Sequence, residues 1–200
     1  MKKFFKIVFL IIMATWFVKS CTVNPKYDEE VAFKQDPWFF GDAKVQEDPC
    51  TSWSIYAFTT TPVKFNMLPV RHYYKLDGMK SKDGKEMVVN TSLMLQIKKG
   101  KTPILLSNYG EEWYETAFES VFKRKVKERI AKYSSLSLES DPVTMKTFND
   151  ELTIDMKEYV ISQSKERELP IDVIMVTTEA IKPNSGLLST IGKQINNFSN

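Results

Sequence analysis

The stretch that decides the fold is residues 81–97, with the sequence SKDGKEMVVNTSLMLQI. Its first residues, Ser81 to Gly84, form a turn signal, because Asp bonds nearby backbone and Gly adopts positive φ without steric cost. A period-two pattern follows, and one side of it is formed by Met87, Val89, Thr91, Leu93, Leu95 and Ile97. The stretch therefore predicts a turn that leads into a long strand with one face on a core.

Shorter strand patterns lie on both sides of this stretch. Four of them precede it, in residues 27–33, 53–58, 62–68 and 70–76, and the last three follow one another at near-regular spacing. This spacing is typical of an antiparallel, meander-like sheet. A last strand pattern runs from Ile171 to Ile181, in which Val173 and Met175 point to the same side as Ile171.

Three helices are predicted between the long strand and the last one. Thr102 caps the first helix, Pro103 occupies its first position and Gly110 follows its end, which is the usual asymmetry of helix termini. The second starts at Glu111, and its apolar stripe consists of Tyr114, Phe118, Val121, Phe122, Val126 and Ile130. Asp141 caps the third, and its stripe consists of Met145, Phe148, Leu152, Met156, Tyr159 and Val160. Stripes at this spacing predict helices packed on a core.

The charge of the chain is concentrated at its N-terminus. Four of the 28 basic residues lie in residues 1–20, which contain no acid, while the whole chain has 25 acids and a net charge of +3. The remainder is close to neutral, so the sequence does not predict nucleic-acid binding. We expect four segments: a signal peptide or anchor at 1–20, a spacer at 21–26, a domain at 27–183 and a polar tail at 184–200.

The N-terminal segment predicts export. An uncharged run from Ile7 to Val18 follows the first lysines; as a helix it would span about 18 Å, which is short for a bilayer core of about 30 Å and suits a signal peptide. Residues 18–21, Val-Lys-Ser-Cys, resemble a bacterial lipobox, which implies cleavage before Cys21 and its lipidation. The alternative is an uncleaved anchor helix, Phe4–Val18. Both place the domain on the exported, periplasmic face of the cell envelope, since the lysines before the run outnumber the one after it.

The sequence does not predict a catalytic, cofactor or metal site. The single histidine, His72, lies in a strand pattern without a nearby acid, so a structural or exposed role is favoured over catalysis. Cys50 is not predicted to be a nucleophile, although pairing with Cys21 in an oxidising compartment remains open. The adjacent carboxylates Asp150 and Glu151 diverge on a helix and do not form an acid/base pair.

Two surface clusters each have two interpretations. The aromatic cluster at residues 37–41, Pro-Trp-Phe-Phe-Gly, is interpreted either as a cap on a small sheet, which is favoured, or as a membrane wedge. The second helix carries six cations, Lys123, Arg124, Lys125, Lys127, Arg129 and Lys132. They form either a solvated face, which is favoured, or a patch for anionic lipid or a partner.

Several of these pieces, taken in order, resemble the SPFH or Band 7 family, which includes stomatin, prohibitin and flotillin. Residues 37–41 resemble the opening of a bacterial prohibitin-like subgroup, and Thr59-Thr60 resembles the family's Thr-Thr segment. Residues 81–84 and the strand to Ile97 resemble its Ser-x-Asp-Gly turn and central strand. Tyr109-Gly110 with the basic helix, and residues 169–183, resemble its later helix and closing strand.

The resemblance implies both a fold and a function. The implied fold is α+β, a twisted antiparallel sheet with helices packed on one side. The implied function is that of a non-enzymatic, membrane-anchored scaffold or modulator of membrane proteins, for example of a membrane protease, acting as a homo-oligomer. Residues up to Asn200 contain no heptad repeat, so we expect smaller oligomers than the large cages of the family. The alternative function is a periplasmic lipoprotein that binds a partner or ligand.

Overall fold

A computed structural model describes residues 22–37, 43–57 and 59–183, together with Met13. The predictions for the leader, for lipidation of Cys21, for the Trp38–Gly41 aromatics and for the tail at 184–200 therefore lie outside the described residues. From residue 22 onward, the described chain folds into two compact units.

The strands and helices follow the predicted order. The strands are β1 (Thr22–Val23), β2 (Glu29–Gln35), β3 (Lys44–Val45), β4 (Ser54–Ile55), β5 (Thr60–Asn66), β6 (Val70–Lys80), β7 (Glu86–Ile97) and β8 (Ile171–Pro183). The helices are α1 (Thr102–Tyr109), α2 (Ser120–Ile130), α3 (Ser135–Ser140) and α4 (Pro142–Glu166), with a π-helical segment at Glu115–Glu119. The pairings that are resolved are antiparallel, and the α+β class is confirmed.

The first unit comprises residues up to 68, 97–113 and 167–170. It contains the sheet β3-β2-β5 and the small pair β1-β4. Strand β2 pairs with β5 from Glu29 opposite Asn66 to Gln35 opposite Thr60. The apolar residues of β2 are fully or almost fully buried, and Val23 and Tyr56 pack on them. Helix α1 belongs to the same unit.

The second unit comprises residues 69–96, 114–166 and 171 onward. Its sheet has the order β6-β7-β8, so the strand of the decisive stretch is central. All six residues of the predicted inward face of β7 are buried, which confirms the period-two prediction. Strand β6 contains a bulge: Asp77 and Gly78 lie opposite Val88 alone, and Gly78 has a φ of 70°. Glycine adopts that angle without strain.

The predicted turn before β7 is also confirmed, except that the Asp83 side chain bonds mainly a residue outside the turn. The backbone closes from Gly84 N to Ser81 O at 2.9 Å, and Gly84 has a φ of 76°. The Asp83 carboxylate mainly reaches across the unit, where it accepts bonds from the Ser135 amide at 2.9 Å and the Ser135 hydroxyl at 2.6 Å. It also accepts a bond from the Ser81 hydroxyl at 2.6 Å. The turn is therefore tied to the start of α3.

The Asp83 contacts predict a dependence of stability on pH. Bonds from the Ser135 hydroxyl, and then from Ser81, hold the pKa of Asp83 well below its usual range. A carboxyl group whose pKa is lowered by folding stabilises the fold above its unfolded pKa of about 3.9, and this contribution is lost as the pH falls. We expect Asp83→Asn to lower the urea midpoint at pH 7, and the difference from the wild type to shrink progressively below about pH 4.

The matched control for this prediction is Asp77→Asn, an exposed acid of the same unit. Its urea midpoint should stay near that of the wild type at pH 7. A difference for Asp83→Asn that is the same at pH 7 and at pH 3 would contradict the proposed protonation.

Two helix termini differ in how well they were predicted. Asp141 caps α4 as expected, accepting bonds from the amides of Val143 at 3.0 Å and Thr144 at 3.2 Å. Thr102 is not the cap of α1: the cap position is Lys101, and Thr102 is the first helical residue. Its hydroxyl donates instead to the buried carboxylate of Glu30 at 3.2 Å. This bond takes the place of a capping bond to an amide of α1.

The apolar stripes of the second and third predicted helices are confirmed at their centres. Phe118, Phe122, Val126 and Ile130 are fully buried, as are Phe148, Leu152 and Met156 of α4. The second predicted helix passes through the π-helical segment before α2. Helix α3 was not predicted, and its short turn is capped by the Ser134 hydroxyl, which accepts a bond from the Ser137 amide at 3.2 Å.

Strand β8 departs from simple alternation at its middle. Ile171 and Val173 are buried as predicted, but Met175 is 42% exposed and Val176 is 2% exposed. Ile174 and Met175 are both exposed, so the side-chain alternation changes phase at this pair. A shift of one residue moves every later side chain to the opposite face of a sheet.

The edge of β8 is covered by side chains of α4. The Val176 amide donates to the Thr153 hydroxyl at 2.9 Å, and the Thr178 amide donates to the Asn149 side-chain oxygen at 3.0 Å. Two residues along a strand and one turn of a helix advance by similar distances, roughly 6 Å. Helix α4 can therefore follow the strand edge and bond alternate amides.

Candidate functional site

His72 lies on β6 in an aromatic cluster of the second unit. Its ring stacks on Tyr114, with the ring centroids 3.4 Å apart and the planes 8° apart. The Nε2 atom is buried, and no described residue provides it with a hydrogen-bond partner. Burial lowers the pKa of His72, against the opposing charge of Glu115. A neutral ring held by stacking agrees with the predicted structural role.

The rest of this cluster consists of aromatic packing. The hydroxyls of Tyr74 and Tyr114 hydrogen-bond to each other, and the Tyr74 ring lies 5.3 Å from that of Phe122. The Lys123 ammonium lies 5.6 Å from the centre of the Tyr74 ring, within the range of a cation–π contact. Burial raises the pKa of both phenols, so they stay protonated at neutral pH. The cluster joins β6 to the π-helical segment and α2.

The basic helix is largely neutralised by acids within the unit. Lys123 contacts Glu119 at 2.6 Å, while Arg124 and Lys125 lie 3.9 and 4.0 Å from Glu128. Arg129 binds acids on α4. Among the described residues, only Lys127 and Lys132 of the six cations have no acid within 4 Å, and Lys132 still acts on Asp155 through its charge. Pairing of this extent favours the interpretation as a solvated face over a patch for anionic lipid.

Arg129 organises an ionic network between α2 and α4. Its Nε and Nη2 atoms donate to the two oxygens of Asp155 at 2.6 and 2.8 Å, and its Nη1 atom donates to Glu151 at 2.7 Å. The Tyr133 hydroxyl donates to the same Glu151 oxygen at 2.7 Å. The hydrogen bonds that Arg129 donates to Asp155 raise the pKa of Arg129, and the negative charge of Asp155 adds a smaller increase. The same pairing lowers the pKa of Asp155.

The side chains of the adjacent acids Asp150 and Glu151 diverge on α4, as predicted. Glu151 points to Arg129, whereas Asp150 is exposed. Within the described ranges no three His, Cys, Asp or Glu side chains are placed to hold a metal ion. Cys50, in its thiol form, donates to the Ser52 carbonyl at 2.8 Å.

A surface cavity of about 380 Å³ lies in the first unit, between β3 and α1. One wall is formed by Val45, Gln46 and Glu47, and the other by Pro103, Ile104, Ser107 and Asn108. The Asn108 side chain donates to the Glu168 carbonyl at 2.9 Å, so its amide already has a partner. Residues 38–42, which precede β3, lie outside the described part of the chain.

Sequence reasoning missed the bonding of two charged groups in the described part of the chain, Glu30 and Arg129. Glu30 is 2% exposed and accepts bonds from the Gly100 amide at 2.9 and 3.0 Å, in addition to the bond from Thr102. Arg129 was counted only as one of six cations. The signal available for Glu30 was its position directly before the apolar run Val31-Ala32-Phe33, where a side chain faces the core.

Three residues were considered as possible sites from the sequence. Cys21 lies outside the described residues, and His72 and Cys50 lie in different units. No helix in the described part of the chain is long and apolar enough to cross a membrane.

Comparison with known proteins places these features in a family. The family model described as SPFH domain / Band 7 family matches residues 29–197. No curated protein matches the chain.

Proposed function

Since this chain belongs to the SPFH domain / Band 7 family, we propose that it is a membrane-anchored scaffold that modulates membrane proteins by self-association. Members of the family are membrane-associated proteins of the scaffold or modulator type. The match over residues 29–197 is the observation that carries the proposal. A membrane protease is one kind of client that fits it, and the domain itself has no catalytic step to perform.

The proposed attachment lies in the N-terminal segment. Either Cys21 is lipidated after cleavage or the helix Phe4–Val18 remains as an anchor, and in both cases the domain lies on the exported face. Mass spectrometry of the mature N-terminus separates the two, because lipidation adds a defined mass to Cys21. Under the first mechanism Cys21→Ser should abolish both the added mass and the cleavage, whereas under the second the mass should change only by the substitution itself. A wild-type chain that does not fractionate with membranes would contradict both.

The proposed self-association is tested on the full chain in its native membrane. Chemical crosslinking followed by identification of neighbours should give homo-oligomeric products together with membrane proteins. Light scattering of the detergent-solubilised chain should show a mass above that of the monomer. A strict monomer in both experiments would overturn the scaffold proposal and would favour the alternative of a periplasmic binding lipoprotein.

A further inference from the structure

The outer face of α4 carries three exposed aliphatic side chains. Val143, Ile154 and Ile161 are 72%, 54% and 63% exposed. Ile154 and Ile161 follow Val143 after roughly three and five complete helical turns, so all three lie on one side of the helix. Three large apolar groups on one side of an exposed helix make this side a candidate interaction surface. We call these residues, with the polar side chains between them, the α4 outer face.

The inner face of the same helix is already fully used by the fold. Phe148, Leu152 and Met156 are 0% exposed, and Asn149 and Thr153 bond the edge of β8. The helix is therefore held firmly in its unit without any contribution from Val143, Ile154 or Ile161. A rigid, preformed surface loses little conformational entropy when it binds.

The charges on the α4 outer face are complementary to each other. Asp150 lies about one turn before Ile154, and Lys157 lies about one turn after it. Both side chains are exposed, and neither has an ion-pair partner among the described residues. If a second copy of the helix lies antiparallel across a two-fold axis close to Ile154, Asp150 of each copy faces Lys157 of the other. Two-fold symmetry forms this pair twice.

We propose that the α4 outer face binds the same face of a second copy of this chain, in an antiparallel arrangement centred on Ile154. The proposal rests on the self-association in the proposed function and names the surface responsible for it. The Ile154 side chains meet at the centre of the contact, and the Asp150–Lys157 pairs set its direction. Val143 and Ile161 flank this centre at about 16 Å and about 10 Å along the helix. Charged groups at such an interface select the register and exclude wrong partners.

The mixed charge of this face argues against a lipid surface as its occupant. A helix that lies on an anionic membrane presents mainly lysine and arginine beside its apolar residues. The α4 outer face has Asp150 and Glu158 as well as Lys157 and Lys165.

A single seam of three aliphatic residues per copy is a small contact. Attachment of both copies to one membrane compensates for this, because it raises their effective concentration.

The test is a set of charge reversals in the full chain, read out as the dissociation constant in detergent by light scattering. Asp150→Lys places a lysine opposite Lys157, and Lys157→Asp places an aspartate opposite Asp150; each should weaken self-association about tenfold. The double variant Asp150→Lys/Lys157→Asp restores opposite charges and should return the constant to within about threefold of the wild type. In any other register Asp150 of one copy would not face Lys157 of the other, and the double variant would not restore association.

Ile154→Glu tests the apolar centre of the contact. It brings two carboxylates together at the two-fold axis and should weaken self-association more than either charge reversal, by about a hundredfold. The control is Leu136→Glu on α3, which is 69% exposed and outside this face, and it should leave the constant unchanged. Circular dichroism checks that every variant is folded.

The outcomes separate this inference from the proposed function. If the wild type self-associates and Ile154→Glu does so equally well, the α4 outer face is the wrong surface and the scaffold proposal stands. If both single reversals weaken association and the double variant does not restore it, the antiparallel register is wrong. A wild type that stays monomeric in detergent and in membranes overturns both proposals.

Discussion

Arg129→Ala is expected to lower the free energy of unfolding by about 2–3 kcal/mol, and by much more than truncation of any other cation on α2. The arginine is held between Asp155 and Glu151 of α4 at 2.6–2.8 Å. The side chains of Arg129 and Asp155 are only 18% and 13% exposed. Removal of the guanidinium leaves Asp155 charged and largely buried without its partner, which is the costly way to break an ion pair.

The planar guanidinium of Arg129 predicts that a lysine at this position restores only part of the stability. Arginine binds both oxygens of Asp155 and one of Glu151 at the same time, which a single ammonium group cannot do with the same geometry. Arg129→Lys should therefore recover only part of the loss. Urea unfolding followed by circular dichroism measures the difference in free energy.

Arg124→Ala is the matched control, because this arginine lies on the same helix in a loose, exposed pair with Glu128 at 3.9 Å. Exposed pairs of this kind contribute roughly 0–1 kcal/mol. Equal losses for Arg124→Ala and Arg129→Ala would show that the network between α2 and α4 does not hold the second unit together.

Glu30→Ala is expected to destabilise the first unit by about 3 kcal/mol. The carboxylate is 2% exposed and accepts bonds from the Gly100 amide and the Thr102 hydroxyl. Alanine at this position leaves both donors without an acceptor and leaves a cavity in place of the buried carboxylate. It also frees the backbone that leads into α1, since Glu30 holds both residues at the start of that helix.

Two further variants separate the contributions of Glu30. Glu30→Gln keeps the shape and one acceptor oxygen, and should cost about half as much as alanine. Thr102→Val removes only the hydroxyl, and its effect should nearly disappear when Glu30 is already alanine, because contacting groups do not contribute additively. Glu47→Ala, at an exposed acid of the same unit, should leave the urea midpoint where it is. A loss for Glu30→Ala no larger than that control would contradict the role of the buried carboxylate.

The comparison of sequence with structure shows which signals are local. Residues 81–97 predicted their turn and strand correctly because chain reversal at Gly84 and alternation on β7 depend on neighbouring residues alone. The stripes of α2 and α4 were predicted for the same reason. The α+β class followed from the family resemblance, and the match over residues 29–197 confirmed that resemblance.

What the sequence could not predict depends on distant residues. The partners of Arg129 lie 22 and 26 residues further along the chain, and those of Glu30 about 70 residues further. Neither distance leaves a trace in the spacing of residues near the charged group. The exposure of Met175 was missed because a change of phase within a strand is invisible to a strict period of two.

The covered edge of β8 has a consequence for crowded copies of the chain. Open strand edges recruit further strands and grow without limit when chains are crowded. Along residues 176–178 an incoming strand would have to displace Thr153 and Asn149 from the amides they already bond. Crowding therefore does not extend the sheet at this point unless those two bonds are broken.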